Sequence, residues 1–359
     1  MRSFGVEEEL LLVAPSSGVP VALAESVTRG GDEDGPEREL QRQQVETGTD
    51  PCTTLDELSR QLRDRRNAAS QAARRAGSEV AALATSPRAV TPSTTPAERY
   101  LRMAEEYALT AQEQLTCGCH VHVSIESEDE GVGVLDRIRP WLAPLLAMTG
   151  NSPFWQEHDS GYDSYRYQVW GRWPSAGPTE AFGTPKLYHE TVRSMVESGT
   201  LLDEGMIYFD ARLSRHYPTV EVRVADVCLM ADDAVLLAAL VRGLVETAAR
   251  EWRSGRPPVP VRTELLRLAS WRASRSGLAG DLIHPVTQRP APAGVVVRAL
   301  IEHVASALVD TGDLQAVTEL AERLLERGNG AALQRRVHEE TGDLSAVVNA
   351  AVARTLAAW

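Results

Sequence analysis

Pro218-Thr219-Val220-Glu221-Val222-Arg223-Val224 is a β-branched, alternating run, and a period of two marks a strand with two unlike faces. Val220, Val222 and Val224 share one face. Glu221 and Arg223 therefore share the other, two residues apart and pointing the same way. Taken alone, a carboxylate beside a guanidinium on a strand reads as an ordinary cross-strand ion pair. Three other stretches also place acids or histidines on one face, and their convergence is what points to a site.

The first is Gly5-Val6-Glu7-Glu8-Glu9-Leu10-Leu11-Leu12-Val13. It reads as a strand with Glu7 and Glu9 on one face and Glu8 opposite. Acids in a strand that otherwise wants burial are costly unless something compensates them, and a cation is the obvious candidate. A solvated edge strand is the plainer alternative. The second is Glu39-Leu40-Gln41-Arg42-Gln43-Gln44-Val45-Glu46-Thr47. Its carboxylates Glu39 and Glu46 would stack on one face of a helix but oppose each other in a plain strand, and spacing leaves both readings open. The third is Thr116-Cys117-Gly118-Cys119-His120-Val121-His122-Val123-Ser124-Ile125, with His120, His122 and Ser124 on one face. Two imidazoles at this spacing on a strand can chelate a metal. Cys117 and Cys119 fall on the other face, so a single zinc site using all four is strained.

The rest of the chain is helices and loops. Thr54-Leu55-Asp56-Glu57 is a capping-box pattern predicting a long helix to about residue 84, its many charges a solvated face. Thr95-Pro96-Ala97-Glu98 opens a second helix ending near Leu115. Apolar helices are expected over 131–149 and 231–252, a strand over Ile207–Arg212 pairing with 219–224, and a mainly helical C-terminal part. Residues 14–36, rich in Gly, Pro, Ser and Asp, read as a turn and a mobile acidic loop. A hydroxyl-rich loop, Asp159-Ser160-Gly161-Tyr162-Asp163-Ser164-Tyr165-Arg166, is the kind of segment that binds ligands on a rigid scaffold, and equally a hydrogen-bonded structural loop.

The 359 residues carry a formal charge of −13, which argues against non-specific binding to nucleic acid or an anionic membrane. Lys186 is the only lysine among 37 Lys and Arg residues, so a cation that handles phosphate or carboxylate is a planar fork. Four cysteines in a chain of this length do not suggest a disulfide framework. No apolar run approaches a membrane span and no signal-peptide pattern opens the sequence, so a cytoplasmic location is expected.

Together these pieces resemble the carboxylate–amine ligases, the glutamate–cysteine ligase type 2 family. The resemblance is carried by Gly5-Val6-Glu7-Glu8-Glu9-Leu10, Gln44-Val45-Glu46-Thr47, Cys119-His120-Val121-His122-Val123 and Asn151-Ser152-Pro153-Phe154-Trp155. It continues in Gly161-Tyr162-Asp163-Ser164-Tyr165-Arg166, Arg172-Trp173-Pro174 and Thr219-Val220-Glu221-Val222-Arg223, and spans roughly residues 3–250. It implies an α+β, glutamine synthetase-like fold, a curved antiparallel sheet lining the active site with helices packed outside. One ligase domain would cover 1–359, with a helical part from about 255. It also implies ATP-dependent amide formation through an acyl phosphate, from glutamate and cysteine, with Mg²⁺ or Mn²⁺. By carry-over Glu7, Glu9, Glu39, Glu46, His120 and Glu221 hold the metals and Arg223 meets the ATP phosphates. Arg166, with Tyr162 and Ser164, reads the substrate's α-carboxylate. A homodimer is the family expectation. Gln156-Glu157-His158 departs from the Gly-containing run expected there.

The physical case agrees. Oxygen ligands with one or two imidazoles suit Mg²⁺ or Mn²⁺ better than zinc. A carboxylate is a poor electrophile until phosphorylated, which requires ATP charge to be neutralised and two reactants aligned. No Walker loop or Rossmann fingerprint is present, so the nucleotide would sit on the sheet. Two other classes stay open: a metal-dependent hydrolase, which has little use for Arg223 beside Glu221, and a non-catalytic nucleotide binder.

Overall fold

A computed structural model of the protein describes residues 1–30 and 35–357. Its centre is a seven-stranded sheet. The strands are Phe4–Val13 (β1), Glu37–Arg38 (β2), Gln44–Gly48 (β3), Glu79–Ala81 (β4) and Gly118–Ser124 (β5). A separate hairpin of Phe154–Trp155 (β6) and His158–Asp159 (β7) follows, and Ala211–Leu213 (β8) and Thr219–Asp226 (β9) complete the sheet. The order is β2-β3-β1-β5-β9-β8, with β4 also on β1, and every pairing is antiparallel.

Alternation gives the sheet its two faces. Val6, Val121, Val220 and Val222 turn into a core shared with the helix Ala231–Arg253, whose Leu236, Leu240 and Leu244 are buried. The opposite face is open and carries the acids and histidines. Helices and loops overhang that face, so that Glu9, His120 and Glu221 are buried within a cavity. Between the Cys119 and Val121 pairings the register of β5 on β9 shifts by a bulge, beside Arg223. Bulges next to functional sites re-aim a side chain.

Several expected elements are shorter than the sequence suggests. The first long helix runs Leu55–Arg75, with Thr54 capping Glu57 N at 3.2 Å, and stops at Gly77, whose φ is +81°. Residues 79–81 then join the sheet as β4. The second helix begins at Glu98 because Thr95 Oγ1 is bonded instead to Glu39 O at 2.6 Å. It breaks at Ala108, φ 45°, into Glu98–Tyr107 and Leu109–Gln112. Pro140 sits in a 3₁₀ turn that divides 131–149 into Glu128–Ile138 and Leu142–Thr149. The strand expected over 207–212 is confined to Ala211–Leu213, and it does pair with β9.

The charges on Leu55–Arg75 are not all solvated. Arg66 is 1% exposed and forms a bidentate pair with Glu8, Nε–Oε2 at 2.8 Å and Nη2–Oε1 at 2.6 Å. It also donates to the carbonyls of Cys228, Leu229 and Thr355. Glu8, facing away from Glu7 and Glu9, is therefore a structural tether. The four cysteines are free and buried. Of the loop expected over 14–36, residues 14–30 begin with a turn but include a short helix, Ala24–Val27, and residues 31–34 lie outside the described residues. Among the described residues no helix is long and apolar enough to cross a membrane.

Candidate active site

The open face of the sheet floors a cavity of about 450 Å³. Cross-strand register assembles its centre. Glu7 stands opposite His120, Glu9 opposite Glu46, and His122 opposite Glu221. Glu7 Oε2 lies 3.4 Å from His120 Nδ1 and Glu7 Oε1 lies 3.3 Å from His122 Nε2. Glu9 accepts the amide of Gly118 at 2.6 Å.

Glu39 is neither on a helix with Glu46 nor on the same strand. It follows β2, and the turn before β3 folds it back, so that Glu9, Glu39 and Glu46 each offer an oxygen within 4.8 Å of one another. Glu7–Glu46–His120 and Glu7–His122–Glu221 form two more such triplets. His122, read with His120 as a possible chelating pair but given no part by the family resemblance, belongs to this cluster.

The charges are unevenly compensated. Burial, then the nearby Glu9 carboxylate, pushes the Glu39 carboxyl up to about 7. Burial and the carboxylates of Glu39, Glu7 and Glu9 push Glu46 well above the usual range. Glu7 goes the other way: burial opposes ionisation, yet hydrogen bonding from His120 and His122 holds it low. Burial, with Arg223 next, lowers the His120 pKa and keeps that imidazole neutral. His120 Nε2 is buried without a hydrogen-bond partner among the described residues.

Glu221 and Arg223 do share a face, and Arg223 Nη1 bonds Glu221 Oε1. A second guanidinium, missed in the sequence, comes from Arg212 opposite Glu221 on β8, with Nε 2.8 Å from Oε2. Burial opposes the Glu221 charge, but Arg223 and Arg212 hold its pKa low. The remaining walls come from loops and helices: Arg99, Tyr100, Met103, Gln114, Trp170, Trp173 and Tyr208 among them. Their segments show no period that sequence alone could aim at a cavity.

Arg166, Tyr162 and Ser164 are not brought into this cavity. Ser164 caps the helix Tyr165–Trp170 and donates to Asp226 Oδ1 at 2.7 Å. Tyr162 packs on Tyr165 and Trp271. Arg166 is 1% exposed, with Nη1 3.9 Å from the buried Asp226 carboxylate and 3.5 Å from Val224 O. Its guanidinium lies over the Trp170 ring, 5.5 Å from the centroid. Arg166 is thus buried beside Asp226, and its guanidinium borders the cluster near His120 without lining the cavity itself. At the Gln156–Glu157 departure, both residues adopt positive φ, 49° and 68°, in the β6–β7 turn. Gln156 offsets the strain by bonding Val90 N and O.

Known proteins share this fold. The structure resembles a glutamate–cysteine ligase from Francisella tularensis in complex with AMP, TM-score 0.68 at 13% identity, covering 99% of this chain and 89% of that one. It also resembles a bifunctional glutathione synthetase from Pasteurella multocida, TM-score 0.72 at 15% identity, covering 99% of this chain and 52% of the other. A Streptomyces avermitilis protein provisionally named glutamate–cysteine ligase 2-1 is 56% identical over 99% of both chains. A Streptomyces coelicolor protein provisionally named glutamate–cysteine ligase 2 is 54% identical over the full length of both. The class is that of the ATP-dependent carboxylate–amine ligases. Within it, the chain belongs to glutamate–cysteine ligase family 2, whose model matches residues 3–350.

Proposed function

We propose that this ligase joins the γ-carboxylate of glutamate to the amine of cysteine. ATP is cleaved to ADP and phosphate, and a γ-glutamyl phosphate is the intermediate. The carrying observation is the cluster of Glu7, Glu9, Glu39, Glu46, His120, His122 and Glu221 on one face of a rigid sheet, beside Arg223.

Mg²⁺ or Mn²⁺ fits these residues. The donors are mainly carboxylate oxygens, His120 has a buried nitrogen without a partner among the described residues, and burial with carboxylate repulsion pushes Glu39 and Glu46 up against the pull of Arg223, a cost that a cation would relieve. Glu7, Glu9, Glu39, Glu46, His120 and Glu221 would hold the cations, with His122 a further donor. Bound there, a divalent cation would neutralise phosphate charge. Arg223 supplies a forked donor for the peripheral oxygens of the transferring phosphoryl group. The cavity walls hold carboxylate and amine in register and exclude water that would hydrolyse the acyl phosphate.

A cytoplasmic location follows from the need for ATP, and a homodimer from the family resemblance. The test is ADP release by the purified chain with ATP, Mg²⁺, glutamate and cysteine, before and after exhaustive chelation. Release should need both amino acids, stop on chelation and return with Mg²⁺ or Mn²⁺. Glu46→Gln should weaken metal-dependent ATP binding at least about tenfold while the fold survives, as loss of a ligand position does. Full activity without divalent metal, or in Glu46→Gln, contradicts the proposal.

A further inference from the structure

The helix Thr263–Ser276 is apolar on two sides. Leu266, Ala269 and Ala273 are buried, and the helix packs on Leu142–Thr149. Leu265, Leu268 and Trp271 recur every three residues on the other side and are between 46% and 60% exposed. A helix that is apolar all round calls for burial all round. Ring contacts extend the patch: Trp271 is edge-on to Tyr162 at 6.4 Å, and Tyr162 leans on Tyr165 at 5.8 Å. Arg267, Arg272 and Arg275 flank it. None of the three has a carboxylate within ion-pair distance among the described residues. Glu264, the helix's only acid, is taken by Arg262 at 2.8 Å. In a chain of net charge −13, this is a basic and apolar surface.

A surface of the opposite sign lies on the helix Glu98–Tyr107 and the turn Leu109–Gln112 that follows it. Met103 is that helix's one buried residue. Leu101 and Leu109 are 53% and 61% exposed. Glu98, Glu105 and Glu106 are exposed and have no cationic partner among the described residues. Spacing sets Glu98, Leu101 and Glu105 in one stripe. The inward side of the same helix carries Arg99, Tyr100 and Met103, which line the cavity. Its ties to the rest of the chain include Arg99 Nε to Asp203 Oδ2 at 2.7 Å and the Tyr107 hydroxyl donating to Thr200 O at 2.5 Å.

The two surfaces are opposite in charge and alike in exposing leucines. The basic face set against its own copy would bring arginine to arginine, which disfavours that pairing. We infer that two copies of this chain pair through both surfaces at once, the basic face of Thr263–Ser276 in each against the acidic face of Glu98–Tyr107 in the other. A two-fold axis makes the two contacts equivalent. Leu265, Leu268 and Trp271 take up Leu101 and Leu109, and the flanking arginines pair with Glu98, Glu105 and Glu106. The partner copy then braces the helix that carries Arg99, Tyr100 and Met103, so assembly steadies one wall of the active site. The inference rests on the homodimer expectation above and gives it a surface.

The test is sedimentation-velocity ultracentrifugation of the full chain. The wild type should be a dimer that salt weakens. Arg272→Glu with Arg275→Glu, and separately Glu105→Arg with Glu106→Arg, should each raise the dimer dissociation constant at least about 100-fold, since like charges then face each other. Mixed in equal amounts, the two double variants should form a heterodimer, because both contacts regain opposite charges with the signs exchanged. Misfolding cannot produce that rescue. If a double variant does not fold, the single substitutions Arg275→Glu and Glu105→Arg carry the same test. ADP release on glutamate plus cysteine should fall in each variant alone and return in the mixture. Variants that stay dimeric, or a mixture that stays monomeric, overturn this interface and leave a wild-type dimer to another surface. A monomeric wild type overturns the homodimer expectation with it and gives the face to a partner of another kind. ADP release that ignores dissociation overturns the bracing of the cavity wall. A rescued heterodimer with no ADP release under any condition upholds the interface and counts against the ligase reading alone.

Discussion

Arg223 and Arg166 look alike in the sequence, each an arginine in a polar run, and the structure gives them opposite situations. Arg223 reaches the cavity wall, bonded to Glu221, with its Nε still free among the described residues. Arg166 is enclosed with Asp226, whose carboxyl is pushed up by burial and held back by Arg166, Ser152 and Ser164. Substitution should separate them. Arg223→Lys should lower kcat by about 10²–10³-fold, as loss of a charge-stabilising donor does, with little change in thermal stability. Arg166→Met should instead destabilise the fold by about 3–5 kcal/mol, because it leaves a buried carboxylate without its counter-ion. Denaturant unfolding and steady-state kinetics on both variants decide it. An Arg166→Met protein of wild-type stability with a selectively raised glutamate KM would restore the carboxylate-reading role.

Strands are where the sequence was most legible, because period two is rigid. Glu7 with Glu9, His120 with His122, and Glu221 with Arg223 could each be put on a face from spacing alone, and the register then brings those faces together. Glu39 could be named but not placed, because its closeness to Glu46 depends on a turn between two strands and not on a repeat. Arg212 escaped since its segment read as a strand with no sign of which residue would stand opposite. Gln114, Trp170, Trp173 and Tyr208 lie in helix ends and loops, whose aim is set by tertiary contacts. Arg66 misled because helix charges are usually solvated, and nothing near it in sequence announces Glu8 as its partner. That pair fastens the helix Leu55–Arg75 to β1, the strand carrying Glu7 and Glu9. Arg66→Met should therefore cost about 3–5 kcal/mol, as removing one partner of a buried pair does. The double variant with Glu8→Leu should recover much of it. A double variant no more stable than Arg66→Met would show that the carbonyls bonded by Arg66, and not the ion pair, carry the tether.

At the scale of the whole molecule, buried acids make stability depend on pH as well as on ligands. Asp210, outside the metal cluster, is pushed up to about 7 by burial, with the Tyr167 hydroxyl at 3.0 Å only partly opposing. A carboxyl raised in the folded state stabilises it while protonated in both states, and that contribution is lost as pH rises through the folded value. Through Asp210 the thermal stability of the wild type should thus fall between about pH 4 and pH 7, and Asp210→Asn should fall less steeply, read as melting temperature across that range. Parallel slopes would clear Asp210 of the effect. The central claim is chemical: a cluster of acids and an arginine clamp on one sheet face activate a carboxylate by phosphorylating it. The most direct measurement uses glutamate labelled with ¹⁸O in its γ-carboxylate, with ATP, cysteine and Mg²⁺, and follows the label by mass spectrometry. Through an acyl phosphate, one labelled oxygen should leave with inorganic phosphate in each turnover. If ATP is consumed and the amide forms while the oxygen expelled from the carboxylate appears in water or in AMP and none in inorganic phosphate, the carboxylate was never phosphorylated by ATP's γ-phosphate and the account is wrong.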